Sequence, residues 1–251
     1  MKLHIITPLY RFNLLEQVYN SILINDDITW HISKSNKREE LDYDFLKKDN
    51  RIRLYNVDCE DTDTTSKRNA VFDNIKDGYF CLLDDDTIFH ENMYMKYVDC
   101  VEHNFIGMLI GEQLNYCGKL RLIASKPVFN KIDTGNVLSH YSCLKELRWP
   151  SKHIEGKNHK DFLFWDSVYE FYGKKCGIWN QPISYYNKLK TNPVNQEYGK
   201  KFTDRISWDN WGEWHIDHIK PVSKFDKSEK ISIINSLDNQ QPLWTVDNLK
   251  K

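Results

Sequence analysis

The stretch Tyr79-Phe80-Cys81-Leu82-Leu83 is an unbroken apolar run that ends directly in Asp84-Asp85-Asp86. Apolar residues without alternation fit a strand buried on both faces, as in the middle of a parallel sheet. Such a sheet needs crossover helices to cover it. The preceding chain supplies the pieces. Residues 2–7 predict a first strand closed by Pro8, residues 28–33 a second, and residues 51–57 a third. Between them, residues 13–24 carry Leu14, Leu15, Val18, Tyr19 and Ile22 at helical spacing, with Asn13 as N-cap. Residues 65–75 carry another helical pattern that stops at Gly78. Strands alternating with helices predict an α/β fold with a mainly parallel sheet.

Adjacent carboxylates repel one another and raise each other's pKa unless something neutralises them. The plain alternative is a solvated turn in which Asp84 or Asp86 caps a helix. Position favours a site, because open parallel sheets bind ligands beyond the carboxyl ends of their strands. Thr7-Pro8-Leu9-Tyr10-Arg11 and Asp58 fall at other such ends. Hard carboxylate oxygens suit Mg²⁺ or Mn²⁺, usually together with substrate phosphates.

The segments IITPLYRFNLLEQVYNSI and TTSKRNAVFDNIKDGYFCLLDDDT resemble the nucleotide-binding half of a GT-A glycosyltransferase of the family-2 type. Asp84-Asp85-Asp86 is similar to the D-x-D motif of that superfamily. The resemblance covers roughly residues 1–190 and is densest in the first 90. It implies a Rossmann-like sheet flanked by helices, a nucleotide-diphosphate sugar donor (commonly a UDP-sugar), and a Mn²⁺ or Mg²⁺ cofactor. It further implies that Asp86 binds the metal and that Asp84 shares it or contacts the ribose. Thr7, Pro8, Tyr10 and Arg11 would line the nucleotide pocket with Asp85, and Asp58 would face the base. Lys67-Arg68-Asn69 would meet the donor; for the two cations a solvated helix face is the competing reading.

Transfer with inversion requires a general base beside the acceptor hydroxyl. Asp161 opens the aromatic run Asp161-Phe162-Leu163-Phe164-Trp165 and resembles the base of inverting GT-A enzymes. An apolar wall beside it would raise its pKa toward a useful range. It can also serve the helix that carries Phe162 and Trp165. Asp133, before Thr134-Gly135-Asn136, is expected to shape the donor-sugar pocket. Many GT-A enzymes add a late histidine as a metal ligand. Residues 179–188 contain none, although Asn187, Lys188 and Lys190 are candidates for the diphosphate. The third ligand and the stereochemical outcome stay open from the sequence.

The composition changes at Asn192-Pro193, which places a domain boundary there: residues 1–192 and 193–251. The second part contains SWDNWGEWHIDHIKPVSKFD and DNQQPLWTVDNLKK, similar to an HNH-endonuclease module. That resemblance implies a small ββα appendage. His218 would activate water, Asp217 and Asn248 would hold a metal, and Asn239 would orient the histidine. The segment carries nine Lys/Arg against nine Asp/Glu, whereas a phosphate-gripping nuclease usually has a basic surplus. A relic module that packs without cleaving nucleic acid is the competing reading.

The formal net charge of −1 gives no global sign of a nucleic-acid binder. No apolar stretch is long enough for a signal peptide or a membrane span. The six cysteines lack C-x-x-C spacing and read as reduced thiols. These features point to the cytoplasm. By resemblance, such paired modules occur in large DNA viruses, which would place the work in host cytoplasm, with a glycan or protein as acceptor.

Overall fold

The computed structural model describes residues 1–22, 25–38, 41–115, 118–151 and 160–186, together with the strands Trp214–His218 and Gln240–Trp244. The chain divides into two compact units, Met1–Lys190 and Thr191–Lys251.

The first unit is built on one sheet. Strands β1 (Leu3–Pro8), β2 (Ile28–Ser35), β3 (Ile52–Val57) and β4 (Tyr79–Leu82) are its parallel half, in the order β3-β2-β1-β4. The short strand β5 (Ile88–Phe89) follows. The sheet continues through β8 (Val137–His140), β6 (Met108–Leu114) and β9 (Cys176–Tyr185) to β5, while β7 (Leu120–Leu122) hangs on β6. Strand β8 runs antiparallel to β4 and β6, whereas β6 and β9 are parallel. The parallel expectation therefore describes the first four strands, and the second half is mixed. The reason is local: β8 starts directly after the turn at Thr134–Asn136, beside the end of β4, and must run back the other way.

Alternate residues of the central strands feed two cores. Leu3, Ile5, Tyr79 and Cys81 pack with Leu15 and Val18 of α1 (Leu15–Ser21) and with Met93, Tyr97 and Cys100 of α4 (Glu91–Glu102). Ile6, Phe80 and Leu82 pack with Val71 and Phe72 of α3 (Thr64–Phe72) and with Phe164, Trp165 and Val168 of α5 (Lys160–Tyr172). Period-2 side-chain alternation with cover on both faces is why residues 79–83 are apolar throughout. A five-residue helix, α2 (Asp44–Lys48), precedes β3.

Several boundaries differ from the sequence reading. Phe12–Leu14 is a 3-10 turn before α1, so Asn13 caps nothing there; the N-cap position is Leu14. Helix α3 starts behind Asp63, whose carboxylate accepts from the Thr65 and Ser66 amides at 3.0 and 3.1 Å, and it ends at Phe72. Gly78 instead forms the entry to β4 with φ +72°, where a Cβ would come within 2.1 Å of the Lys2 carbonyl oxygen. Only glycine accepts that geometry without strain.

Of the second unit, β10 (Trp214–His218) and β11 (Gln240–Trp244) form an antiparallel pair. Asp217 and His218 lie on β10, opposite Gln241 and Gln240 in register. Asn239 and Asn248 lie outside the described residues, as do Cys117, Asn187, Lys188 and Lys190. The five other cysteines are free thiols, four of them buried. Among the described residues no helix is long and apolar enough to cross a membrane.

Candidate active site

A cleft of about 650 Å³ opens beyond the carboxyl ends of β1 and β4. Asp84, Asp85 and Asp86 line it together with Pro8, Tyr10 and Arg11 from the loop after β1. Asp133 and Asp161 border the same space. The triplet is no helix cap: α4 begins only at Glu91, capped by His90.

The three carboxylates do different things. Asp85 is 2% exposed and is a fastener. One oxygen accepts from the amides of Tyr10 and Arg11, both at 2.6 Å, and the other from the Arg11 guanidinium at 2.5 Å. Burial pushes its carboxyl up, against the pull of Arg11 and those amides. It ties the loop after β1 to the loop after β4. Asp86 is equally buried and has the Arg11 guanidinium 3.0 Å from one oxygen. Asp84 is more open. It accepts from Arg68 at 3.0 Å and from the Thr134 hydroxyl at 3.0 Å.

Arg68 is buried, with its guanidinium 4.3 Å from the Trp149 ring centroid. Its Nε has no hydrogen-bond partner among the described residues. A buried cation held on an aromatic face beside Asp84 can neutralise negative charge entering the cleft.

Asp161 sits in the first turn of α5 and not at its cap. Burial pushes its carboxyl up to about 7; Arg68 and Arg121 pull it back, while Asp133 and Asp84 add to the rise. A carboxyl that titrates there is suited to taking a proton at neutral pH. Phe164 and Trp165, behind it, are fully buried core and do not face the cleft.

Asp133 is 7% exposed and pinned on both oxygens. It caps the Thr134–Asn136 turn through the Thr134 amide at 2.6 Å and receives Arg121 at 2.5 Å. The Arg121 guanidinium in turn lies over the Tyr186 ring, 3.5 Å from its centroid.

Four expected donor contacts lie elsewhere. Thr7 is fully buried and accepts from the Trp30 indole at 2.9 Å. Lys67 is fully buried and donates to the carbonyls of Leu9, at 2.7 Å, and Asp61. It clamps two cleft loops from behind. Asn69 exchanges two hydrogen bonds with the Trp149 backbone, at 3.1 and 2.8 Å, and so positions the ring under Arg68. Asp58 is exposed and outside the cleft lining. Cys59, tied by its carbonyl to the Ser35 hydroxyl at 2.6 Å, turns the chain so that Thr62 and Thr64 face the cleft instead. Thr62, Thr64, Arg121, Phe129, Lys160 and Tyr186 line the site and were not singled out from the sequence. Only the helical spacing of Thr64 and Arg68 on α3 carried a signal for any of them.

Among the described residues no group of three or more His, Cys, Asp and Glu side chains is arranged around a metal position. A D-x-D site asks for less: one or two carboxylates plus diphosphate oxygens. Asp84 and Asp86 offer hard oxygens on the cleft wall. Arg68 lies 3.0 Å from Asp84 and Arg11 3.0 Å from Asp86, and a carboxylate has about four lone-pair positions. The donor set fits such an ion when phosphates complete it.

No family model matches the chain. Over 77 residues it is 32% identical to an uncharacterized protein of Acanthamoeba polyphaga mimivirus, a stretch covering 30% of this chain and 34% of that protein. Among solved structures it resembles S. aureus TarS 1–349 with a TM-score of 0.59 at 13% identity, covering 78% of this chain and 62% of that one. For TarS 1–349 in complex with UDP the values are 0.60, 11%, 78% and 62%. For the complex with UDP-GlcNAc they are 0.56, 12%, 79% and 64%. The chain thus spans about a third of the viral protein and less than two-thirds of these TarS chains. At such identities the likeness is one of architecture. The first unit has the GT-A glycosyltransferase fold, a mixed α/β form with a curled, mostly parallel sheet.

Proposed function

We propose that the chain is a metal-dependent glycosyltransferase that moves a hexosyl or related sugar from a UDP-sugar to an acceptor hydroxyl, with inversion. The observation that carries this reading is one cleft shared by the acidic triplet and by a carboxyl that titrates near neutrality, Asp161. Fold alone would not suffice, because one fold hosts many chemistries. The UDP and UDP-GlcNAc bound by the TarS neighbours support uridine as the base.

In this reading Pro8, Tyr10 and Arg11 hold the nucleotide end, on a loop that Asp85 fastens. Asp84 and Asp86 would hold Mn²⁺ or Mg²⁺ against the diphosphate. The ion would supply Lewis-acid stabilisation of the departing nucleoside diphosphate. Arg68 and Lys160 add fixed positive charge at the cleft wall. Asp161 accepts the proton of the acceptor hydroxyl as its oxygen bonds to the anomeric carbon and the bond to the diphosphate breaks. Arg121 and Asp133 brace each other on the cleft wall, where Asp133 would shape the donor-sugar pocket. The setting is the cytoplasm, the host's if the chain is viral, and the mimivirus relative supports that source.

The test is UDP release from a panel of UDP-sugars with Mn²⁺. Release in the wild type that is lost in Asp86→Asn and Asp161→Asn supports the reading. Release that survives both substitutions refutes it.

Residues 193–251 carry a second proposal, metal-dependent nucleic-acid cleavage. The antiparallel pairing of β10, which carries Asp217 and His218, with β11 supports it, because the HNH-like resemblance implies such a hairpin. Mg²⁺-dependent nicking of plasmid DNA, lost in His218→Ala, is its test.

A further inference from the structure

We infer that the acceptor is a pyranose ring, seated on a corner formed by Phe129 and Phe162. The inference rests on the glycosyltransferase reading above and names the acceptor class for that site. The two rings lie 6.3 Å apart at 75° and both line the cleft. Phe129 is 40% exposed and lines the cleft, so part of its phenyl surface is open to that space. Asp161 and Phe162, both in the first turn of α5, both line the cleft, so the proton acceptor and the corner open on one space.

A pyranose has an apolar face of C–H groups and a rim of hydroxyls. That shape matches a small apolar corner bordered by hydrogen-bonding side chains, and here the border is Arg121, Asn130 and Lys160. Asn130 adopts φ 63°, in a turn closed by the Lys131 amide on the Val128 carbonyl at 2.9 Å, and this turn holds Phe129 at the rim. An alkyl chain would need a longer apolar groove than two phenyl rings interrupted by cations provide. In the transfer, one hydroxyl of the seated ring loses its proton to Asp161. Its oxygen bonds to the anomeric carbon of the donor, and UDP leaves with the electron pair of the broken bond.

The experiment is saturation-transfer NMR on the full chain loaded with UDP and diamagnetic Mg²⁺. The probes are methyl glucopyranoside, methyl galactopyranoside and methyl N-acetylglucosaminide, beside a threonine tripeptide and octanol. Saturation concentrated on the axial C–H groups of one pyranoside face is expected. Phe129→Ala should weaken the pyranoside about tenfold, the weight of one aromatic contact. Phe129→Tyr should restore it, and Phe171→Ala, a similarly exposed phenyl on α5 outside the cleft lining, should leave it as in wild type. Phe162→Leu replaces Phe129→Ala if the latter does not fold. If UDP with Mn²⁺ does not raise the melting temperature of the wild type, the donor reading fails and this one with it. If UDP binds but pyranosides show no saturation, or show it unchanged in the phenylalanine variants, the acceptor inference alone is overturned. Saturation of the tripeptide or of octanol in place of the pyranosides overturns it too.

Discussion

Asp161→Asn keeps the size and polarity of the side chain and removes its charge. Burial moves the Asp161 carboxyl from an ordinary 3.8 up to about 7. At about 1.4 kcal/mol per pH unit, that gap is a charging cost of about 4 kcal/mol as a ceiling. The carboxyl opens onto the cleft, where solvent screens it, so about 1–2 kcal/mol is the working figure. The folded value lies above the unfolded one, so the stabilising effect of the neutral form is complete below about pH 4 and lost as pH rises through about 7. Asparagine cannot ionise and does not suffer this loss. At pH 8 the variant should therefore melt higher than wild type by about 2–8 °C, since each kcal/mol moves a unit of this size by about 2–4 °C. At pH 4.5, where the wild-type carboxyl is protonated in the folded chain more often, the gap should be clearly smaller than at pH 8. Fluorescence-monitored melting of both proteins at both pH values is the assay. An equal difference at the two pH values, or a variant less stable at pH 8, refutes the claim that a strained carboxylate sits there.

Three further outcomes are expected, one at Asp161 and two in the scaffold. As the proton acceptor, Asp161 must be ionised, so the rate of UDP release should fall about tenfold per pH unit below about pH 7, read from a pH–rate profile under saturating donor. Lys67→Met leaves the Leu9 and Asp61 carbonyls buried without their donor and should cost about 2–4 kcal/mol in urea unfolding, while raising the KM for the UDP-sugar more than it lowers kcat. Gly78→Ala places a Cβ 2.1 Å from the Lys2 carbonyl at a positive φ and should destabilise by more than about 2 kcal/mol, again by urea unfolding, with donor KM unchanged if the protein is folded.

The central strands were legible because burial on both faces leaves no choice of residue: Tyr79–Leu82 is apolar throughout and buried throughout. The acidic triplet was legible for a related reason, since three carboxylates at the end of such a strand need a purpose. Their division of labour was not. Asp85 differs from its neighbours only in receiving two amides from residues more than seventy positions away, and no local pattern records that. Lys67-Arg68-Asn69 illustrates the same limit. Helical spacing puts consecutive residues on different faces, so Arg68 reaches the cleft while Lys67 and Asn69 brace the Leu9 loop and the Trp149 backbone. The acceptor side was the least legible part. Arg121 and Phe129 belong to an irregular hairpin and loop whose placement depends on pairing of β7 with β6, and exposed loops carry no hydrophobic period.

Thermal melting with and without UDP-GlcNAc and Mn²⁺, in wild type and Asp86→Asn, tests the central claim most directly. A ligand that binds only the folded chain must raise the melting temperature. The account predicts a Mn²⁺-dependent rise in wild type, with UDP alone giving part of it, and little or none in Asp86→Asn. No rise with any UDP-sugar, or an undiminished rise in Asp86→Asn, would contradict it.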